Sequence, residues 1–323
     1  MREFAGRIAV VTGGGSGMGR ELVRQLLAEG CNVAMCDVSA RSMDETRALC
    51  AAERAPQGTR LTAHVADVAD EAQVTRLRAE VAAQHASDKL HLLFNNAGIG
   101  GGGSMVVGDR AQWERTFNIC WGGVYLCTRA FLPMLLRAEE GHIVNTSSVS
   151  GFWASLGPGV AHTAYSAAKF AVKGFSEALL TDLRINAPHI KCSLVMPGHI
   201  GTSIAENSRK ILNGTDSDAL LPAEVAEARR RMAAAGVAVA ALSDAEIAAL
   251  ARERARRIRD EAPMTAAAAA SVILEGVKAD RWRILIGKDA EWLDAQVRAA
   301  PERAYDTEFF GRFSTEVGWR LGR

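Results

Sequence analysis

No apolar run in this 323-residue chain approaches the ~20 residues that a membrane-spanning helix requires. The start, Met1 to Arg7, lacks the apolar stretch of a secretory signal. Six cysteines are present, yet none forms a Cys-x-x-Cys pair or a staple-like cluster, and most sit in apolar segments. A reduced, cytoplasmic setting is therefore expected. The seven histidines are scattered and form no metal-ligand spacing, so no metal is expected. A net charge of +1 gives no electrostatic reason to expect nucleic acid or an anionic membrane as partner.

What is present is a globular composition, 48% hydrophobic and 23% charged. Short apolar runs alternate with helical patterns over the first two hundred residues. The expected strands are Arg7–Thr12, Asn32–Asp37, Arg60–Ala66, Leu90–Asn95, His142–Thr146 and Ile190–Met196, with a seventh at Trp282–Ile286. Between them lie expected helices at Gly19–Glu29, Ser42–Arg54, Glu71–His85, Tyr125–Arg137 and Ala164–Leu183. Runs that are apolar throughout suit strands covered on both faces. The expected fold is a doubly wound α/β Rossmann fold: one domain with a seven-stranded parallel sheet and helices on both faces.

The stretch from Ser203 to Pro263 breaks this rhythm. It has no clear strand, and Ser243-Asp244-Ala245-Glu246 has the form of a capping box opening a helix. Its apolar stripe is too narrow for a core of its own, so it reads as a helical insertion. The five arginines from Arg252 to Arg259 read as a solvated helix face. Gly100 to Gly103 reads as a flexible connector.

Between the first strand and first helix lies Thr12-Gly13-Gly14-Gly15-Ser16-Gly17-Met18-Gly19. Glycines there let the backbone approach a pyrophosphate, whose charge suits the amino end of the helix. The second strand ends in Asp37, where a carboxylate can accept hydrogen bonds from the adenosine ribose. That carboxylate would repel a 2′-phosphate, and Ser16 and Val38 supply no cation, so NAD is expected over NADP.

Tyr165-Ser166-Ala167-Ala168-Lys169 places a phenol and an amine one helical turn apart. An ammonium ~4 Å from the phenol favours phenolate by about 4 kcal/mol at an effective dielectric of ~20, close to three pKa units before desolvation. Tyr165 could then exchange a proton with an alcohol or ketone. Ser148 follows the strand ending at Thr146, at the carboxyl edge where open α/β sheets bind ligands.

Thr12-Gly13-x-x-x-Gly17-x-Gly19, Asp67-Val68, Asn95-Asn96-Ala97-Gly98, Asn118, Ser148, Tyr165-x-x-x-Lys169 and Pro197-Gly198-x-x-x-Thr202 occur in this order. In these motifs the chain resembles the short-chain dehydrogenase/reductase family over about residues 5 to 202. The resemblance implies that Gly13, Ser16, Gly17, Met18 and Gly19 contact the dinucleotide and that Asp67 and Val68 border the adenine. It implies that Asn95, Ala97 and Gly98 support the sheet edge and ribose. Pro197, Gly198, Ile200 and Thr202 would line the nicotinamide. Asn118 would hold a water behind Lys169, Ser148 would orient the substrate oxygen, and Lys169 would also bind the nicotinamide ribose. The loop Gly151–Thr163 is longer than usual, which leaves Ser147 and Ser150 as alternatives to Ser148. A homodimer or homotetramer is implied by resemblance, through the helices that carry Asn118 and Tyr165.

Phe152 and Trp153 are candidates for an apolar substrate wall, and His199 for a polar contact. The insertion, about 203–262, is expected to act as a lid whose removal weakens substrate binding more than NAD binding. The aromatics of the tail, about 288–323, suggest docking onto the body or a neighbouring subunit. The small-molecule partner expected is a secondary alcohol or ketone of medium, partly apolar character. An NADPH-linked carbonyl reductase and a non-catalytic NAD-binding protein are the other readings.

Overall fold

A computed structural model describes residues 1–53, 55–157, 160–215, 217–234 and 237–319. The expected ends of the second helix at residue 54 and of the tail beyond 319 lie outside these residues, as do two residues of the loop after Ser148. Seven parallel strands form one sheet: β1 (Ile8–Thr12), β2 (Asn32–Asp37), β3 (Leu61–Val65), β4 (Leu92–Asn95), β5 (Gly141–Thr146), β6 (Ile190–Pro197) and a late strand, Arg283–Ile286. Each lies within two residues of its expected bounds. The spatial order is β3-β2-β1-β4-β5-β6 followed by the late strand. It reverses direction between β1 and β4, the place where the loops leaving two adjacent strands part and open a crevice.

Apolar side chains fill both faces. Helices α1 (Gly17–Ala28) and α2 (Ala40–Ala52) and a late helix, Ala266–Lys278, close one core around Val11, Leu22, Met35 and Ile273. Helix α3 (Glu71–Gln84), the long helix 110–136 and α6 (Thr163–Asn186) close the other around Val10, Leu77, Phe131 and Leu179. The helix spanning Arg110–Leu136 is long and apolar enough to cross a membrane by length and composition, and half of its apolar 18-residue stretch is buried. It consists of α4 (Arg110–Phe117), a π-turn at Asn118–Gly122 and α5 (Gly123–Leu136), so its first half precedes the expected start.

The insertion departs from expectation in two ways. Ile200–Gly201 (β7) pairs in parallel with Met264–Thr265 (β8), a bridge that fastens both of its ends together. Within it, α7 (Ile204–Asn213) is followed by α8 (Pro222–Ala234) and α9 (Asp244–Asp260). Val225 and Met232 pack on Ile247 and Ala248, so α8 and α9 together bury a small core that the stripe of one helix did not reveal. The capping box at Ser243 and Glu246 is present. Arg256 and Arg257 are exposed and pair with Glu253 and Glu261, as a solvated face requires.

After β8 come α10 (Ala266–Lys278), β9 (Arg283–Ile286), α11 (Lys288–Ala299) and α12 (Thr307–Val317). The tail docks onto the body. Trp153 is 1% exposed, its ring set edge-on to Phe313 at 5.3 Å, and its indole N–H donates to the Ala304 carbonyl at 2.7 Å. Phe152 packs on the same cluster, with the Arg283 guanidinium over its ring. The substrate-wall role expected of Trp153 is therefore corrected, its ring being spent on anchoring the tail, while Phe152 keeps part of its surface exposed. Trp153→Ala should cost about 3–5 kcal/mol of stability in urea unfolding, the range for emptying a buried aromatic site.

Candidate active site

The loop from β1 to α1 needs its glycines. Gly13 has φ +67°, and a Cβ on Gly19 would stand 2.0 Å from the Gly13 carbonyl oxygen. Ser16, the residue before α1, makes no capping bond with its side chain, which leaves the first amides of α1 available to an anion. Met18 packs into the core behind the loop. Asp37, at the carboxyl end of β2, accepts from the Gly15 N–H at 3.1 Å and the Ser39 N–H at 3.0 Å. Burial pushes this carboxyl above its ordinary value, and those two N–H groups oppose the push. Arg20 is the nearby cation that sequence reasoning did not weigh, but it is engaged by the Gly15 carbonyl, Thr46 and Glu45.

Thr12 Oγ1 receives the Asn96 and Ala97 N–H groups, each at 3.0 Å, tying the β4 loop to β1. Asn95 is buried, and its amide donates to Asn145 and Thr128. Its side chain therefore holds the sheet edge and does not turn to the cleft. Asp67 pairs with Arg115 at 2.5 Å, and Val68 is buried beside Gly123. Ile200 joins the core, and the Thr202 methyl lies against Gly17. Asp289, missed in the sequence, accepts from the His199 backbone N–H at 2.6 Å and leaves room for nothing larger than glycine at Gly198, next to Pro197.

The run Gly100–Gly103 is no free connector. The Gly102 and Gly103 carbonyls accept from the Ala164 and Thr163 N–H groups, pinning the start of α6. A Cβ on Gly102 would meet Ala164 at 2.5 Å, so only glycine allows that approach.

Tyr165 and Lys169 share one face of α6, with Lys169 Nζ 5.3 Å from the phenol ring centre. Lys169 is 2% exposed and donates to the Thr146 carbonyl at 2.8 Å. Burial pushes the Tyr165 hydroxyl above its ordinary value, and a hydrogen bond with Ser148 pulls the other way. Burial pushes Lys169 down, opposed by Cys120. From the protein's own groups, desolvation thus outweighs the cation that was expected to favour phenolate. Ser148 also accepts from the Ser150 N–H, while the Ser147 hydroxyl is spent on the Lys169 carbonyl. Of the three serines, Ser148 is the one bonded to the phenol.

Asn118 is not brought to Lys169. It lies exposed at the start of the π-turn, its carbonyl receiving the Gly123 N–H five residues on. The side chain that faces Lys169 from this turn is that of Cys120, fully buried, whose thiol donates to the Ile99 carbonyl at 3.1 Å. A Cβ on Gly98 would stand 3.5 Å from Lys169 Nζ and 3.6 Å from Cys120 Sγ, so all three meet at one point. His199, expected to offer a polar contact, has one ring nitrogen engaged. Its Nε2–H donates to the Ile258 carbonyl at 2.8 Å and its ring lies 6.1 Å from that of Trp319. It braces the insertion against the tail, beside a cavity of about 400 Å³ that none of Ser148, Tyr165 and Lys169 lines.

A dinucleotide-binding crevice beside a buried tyrosine–lysine pair defines the class, a nicotinamide-dependent oxidoreductase. The family model "short chain dehydrogenase" matches residues 7–213, and the chain belongs to that family. It is 35% identical to SadH, an oxidoreductase by name, of Mycobacterium tuberculosis over 67% of this chain and 74% of that one. It is 34% identical to levodione reductase of Leifsonia aquatica over 65% and 75%. Among solved structures, a short chain dehydrogenase/reductase from Burkholderia phymatum in complex with NAD has TM-score 0.72 at 27% identity, covering 100% of this chain and 99% of that one.

Helix α7 carries a further missed residue. Asn207 donates from its amide to Ser16 in the glycine loop at 3.1 Å, and next to it Ser208 accepts from the Gly100 N–H at 2.8 Å. The insertion thereby touches both loops that border the cofactor crevice, so its influence extends to the dinucleotide. Asn207→Ala should raise the NADH dissociation constant about fivefold, the worth of one neutral hydrogen bond, as read by NADH fluorescence titration.

Proposed function

We propose that the protein is an NAD-preferring dehydrogenase of secondary alcohols, or reductase of the matching ketones, acting on a medium-sized, partly apolar substrate. The observation that carries this is the buried Tyr165–Lys169 pair with Ser148 bonded to the phenol, at the mouth of a glycine-lined crevice. When bound, the nicotinamide takes up or gives up the hydride. Ser148 holds the substrate oxygen beside the Tyr165 hydroxyl. Tyr165 gives its proton to a ketone oxygen, or receives one from an alcohol. Lys169, fixed by the Thr146 carbonyl, holds its charge beneath the phenol and has donors left for ribose hydroxyls. Cys120 takes the place behind Lys169 that Asn118 was expected to fill.

A phenol pushed upward by burial is a ready donor at neutral pH and a poor acceptor there. Alcohol oxidation is therefore expected to rise with pH toward the alkaline range, while ketone reduction is fast near neutrality. A panel of secondary alcohols, aromatic and alicyclic, assayed with NAD at alkaline pH tests the reading. Tyr165→Phe should reduce turnover at least about a hundredfold, the lower end of what a positioned proton donor contributes. Retained turnover in that variant would overturn the assignment.

Asp37 supports NAD over NADP, since a carboxylate at the end of β2 would repel a 2′-phosphate and Arg20 is already engaged. Asp37→Ala should lower the ratio of kcat/KM for NAD to that for NADP; an unchanged ratio would remove the carboxylate from cofactor choice. Pairing into a homodimer or homotetramer is supported by Tyr125 on α5 and Phe170 on α6, which are 44% and 41% exposed.

A further inference from the structure

His162 immediately precedes α6, and its imidazole lies on the phenol of Tyr165, ring centres 4.7 Å apart at 39°. Its place is fixed from three sides. The Thr163 N–H donates to the Gly103 carbonyl, the Ala164 N–H to the Gly102 carbonyl, and the Trp113 indole N–H to Thr163 Oγ1 at 3.0 Å. The ring is half-buried, and among the described residues neither nitrogen has a hydrogen-bond partner. Burial pushes the imidazole down to about 4, so at neutral pH it is uncharged, with one N–H donor and one bare nitrogen acceptor.

A half-buried imidazole whose nitrogens have no partner among the described residues is free to take one from a molecule bound beside it. Beside Tyr165, that molecule is the one being oxidised or reduced. An uncharged imidazole in a poorly solvated place suits a hydroxyl or carbonyl, which can match either its donor or its acceptor. A charged substituent would have to be desolvated there without a counter-ion.

We propose that His162 is a substrate-recognition residue whose imidazole hydrogen-bonds a second, uncharged oxygen borne on a carbon next to, or one removed from, the carbon that Tyr165 serves. This rests on the oxidoreductase reading above and narrows it to diols, hydroxyketones and diones. Two hydrogen-bonding heads on neighbouring rings call for two oxygens on neighbouring carbons.

The test is a ratio of kcat/KM values for matched pairs with NAD: 2,3-butanediol against 2-butanol, 1,2-cyclohexanediol against cyclohexanol, and 1,2-diphenyl-1,2-ethanediol against 1,2-diphenylethanol. A ratio is insensitive to the fraction of each preparation that is folded. The wild-type protein should prefer the two-oxygen member of a pair by about tenfold or more, the effect of leaving a buried polar partner unmatched. His162→Phe, which keeps a ring on Tyr165 but removes both nitrogens, should bring that ratio close to one. His162→Gln should recover part of it, which a merely structural stacking role would not do. No preference in the wild-type protein, or an unchanged ratio in His162→Phe, overturns the proposal. Binding of NADH with oxidation of none of the six alcohols defeats the oxidoreductase reading itself, and this inference with it.

Discussion

A cation taken out of water governs the site. Lys169 is 2% exposed, and burying an ammonium costs several kcal/mol unless its donors are met. One donor is met by the Thr146 carbonyl at the end of β5. That single bond couples α6 to the sheet at the position where Ser148 follows. Asn145 continues the same tie, receiving Asn95 from β4 and donating to Ser176 on α6. Phenol, amine and serine hydroxyl are thus held by elements that are themselves locked together, and geometry of this kind needs no closing motion to form.

The insertion and tail serve the same centre from outside. Through Asn207 and Ser208, α7 spans the crevice. The tail holds the loop after Ser148, with Tyr305 Oη accepting the Ala154 N–H and the Trp319 indole donating to the Leu156 carbonyl. Asp289 at the start of α11 fixes the turn at Gly198 and His199. The loop after Ser148 is in this way held by contacts made late in the chain.

Much of this was legible in the residues alone, and the limits are physical. The strands were legible because burial on both faces makes each an almost unbroken apolar run, as at Ile8–Thr12. Tyr165 and Lys169 were legible because a four-residue spacing on a regular helix fixes a shared face. Asn118 misled because the resemblance matched it by residue type, which does not fix where a side chain falls on an irregular turn. A π-turn adds one residue per turn, rotates the faces, and hands the position behind Lys169 to Cys120. Trp153 misled because what occupies an aromatic ring is decided by distant chain. The Trp153 partner, Ala304, is 151 residues away, and no local pattern announces it. His162 gave no sign, since it precedes the motif and gains meaning only from a ring laid against it.

The two-residue bridge between Ile200–Gly201 and Met264–Thr265 makes the chain leave and re-enter the frame at adjacent points. Beyond α7, which bonds to Ser16 and Gly100, α8 and α9 hang from this joint and bury their own small core. Lengthening, shortening or exchanging that hung piece alters a loop-closure term that grows only with the logarithm of its length, and shifts no strand of the sheet. The segment hung at this joint is thus free to vary while the frame that carries Ser148, Tyr165 and Lys169 stays as it is.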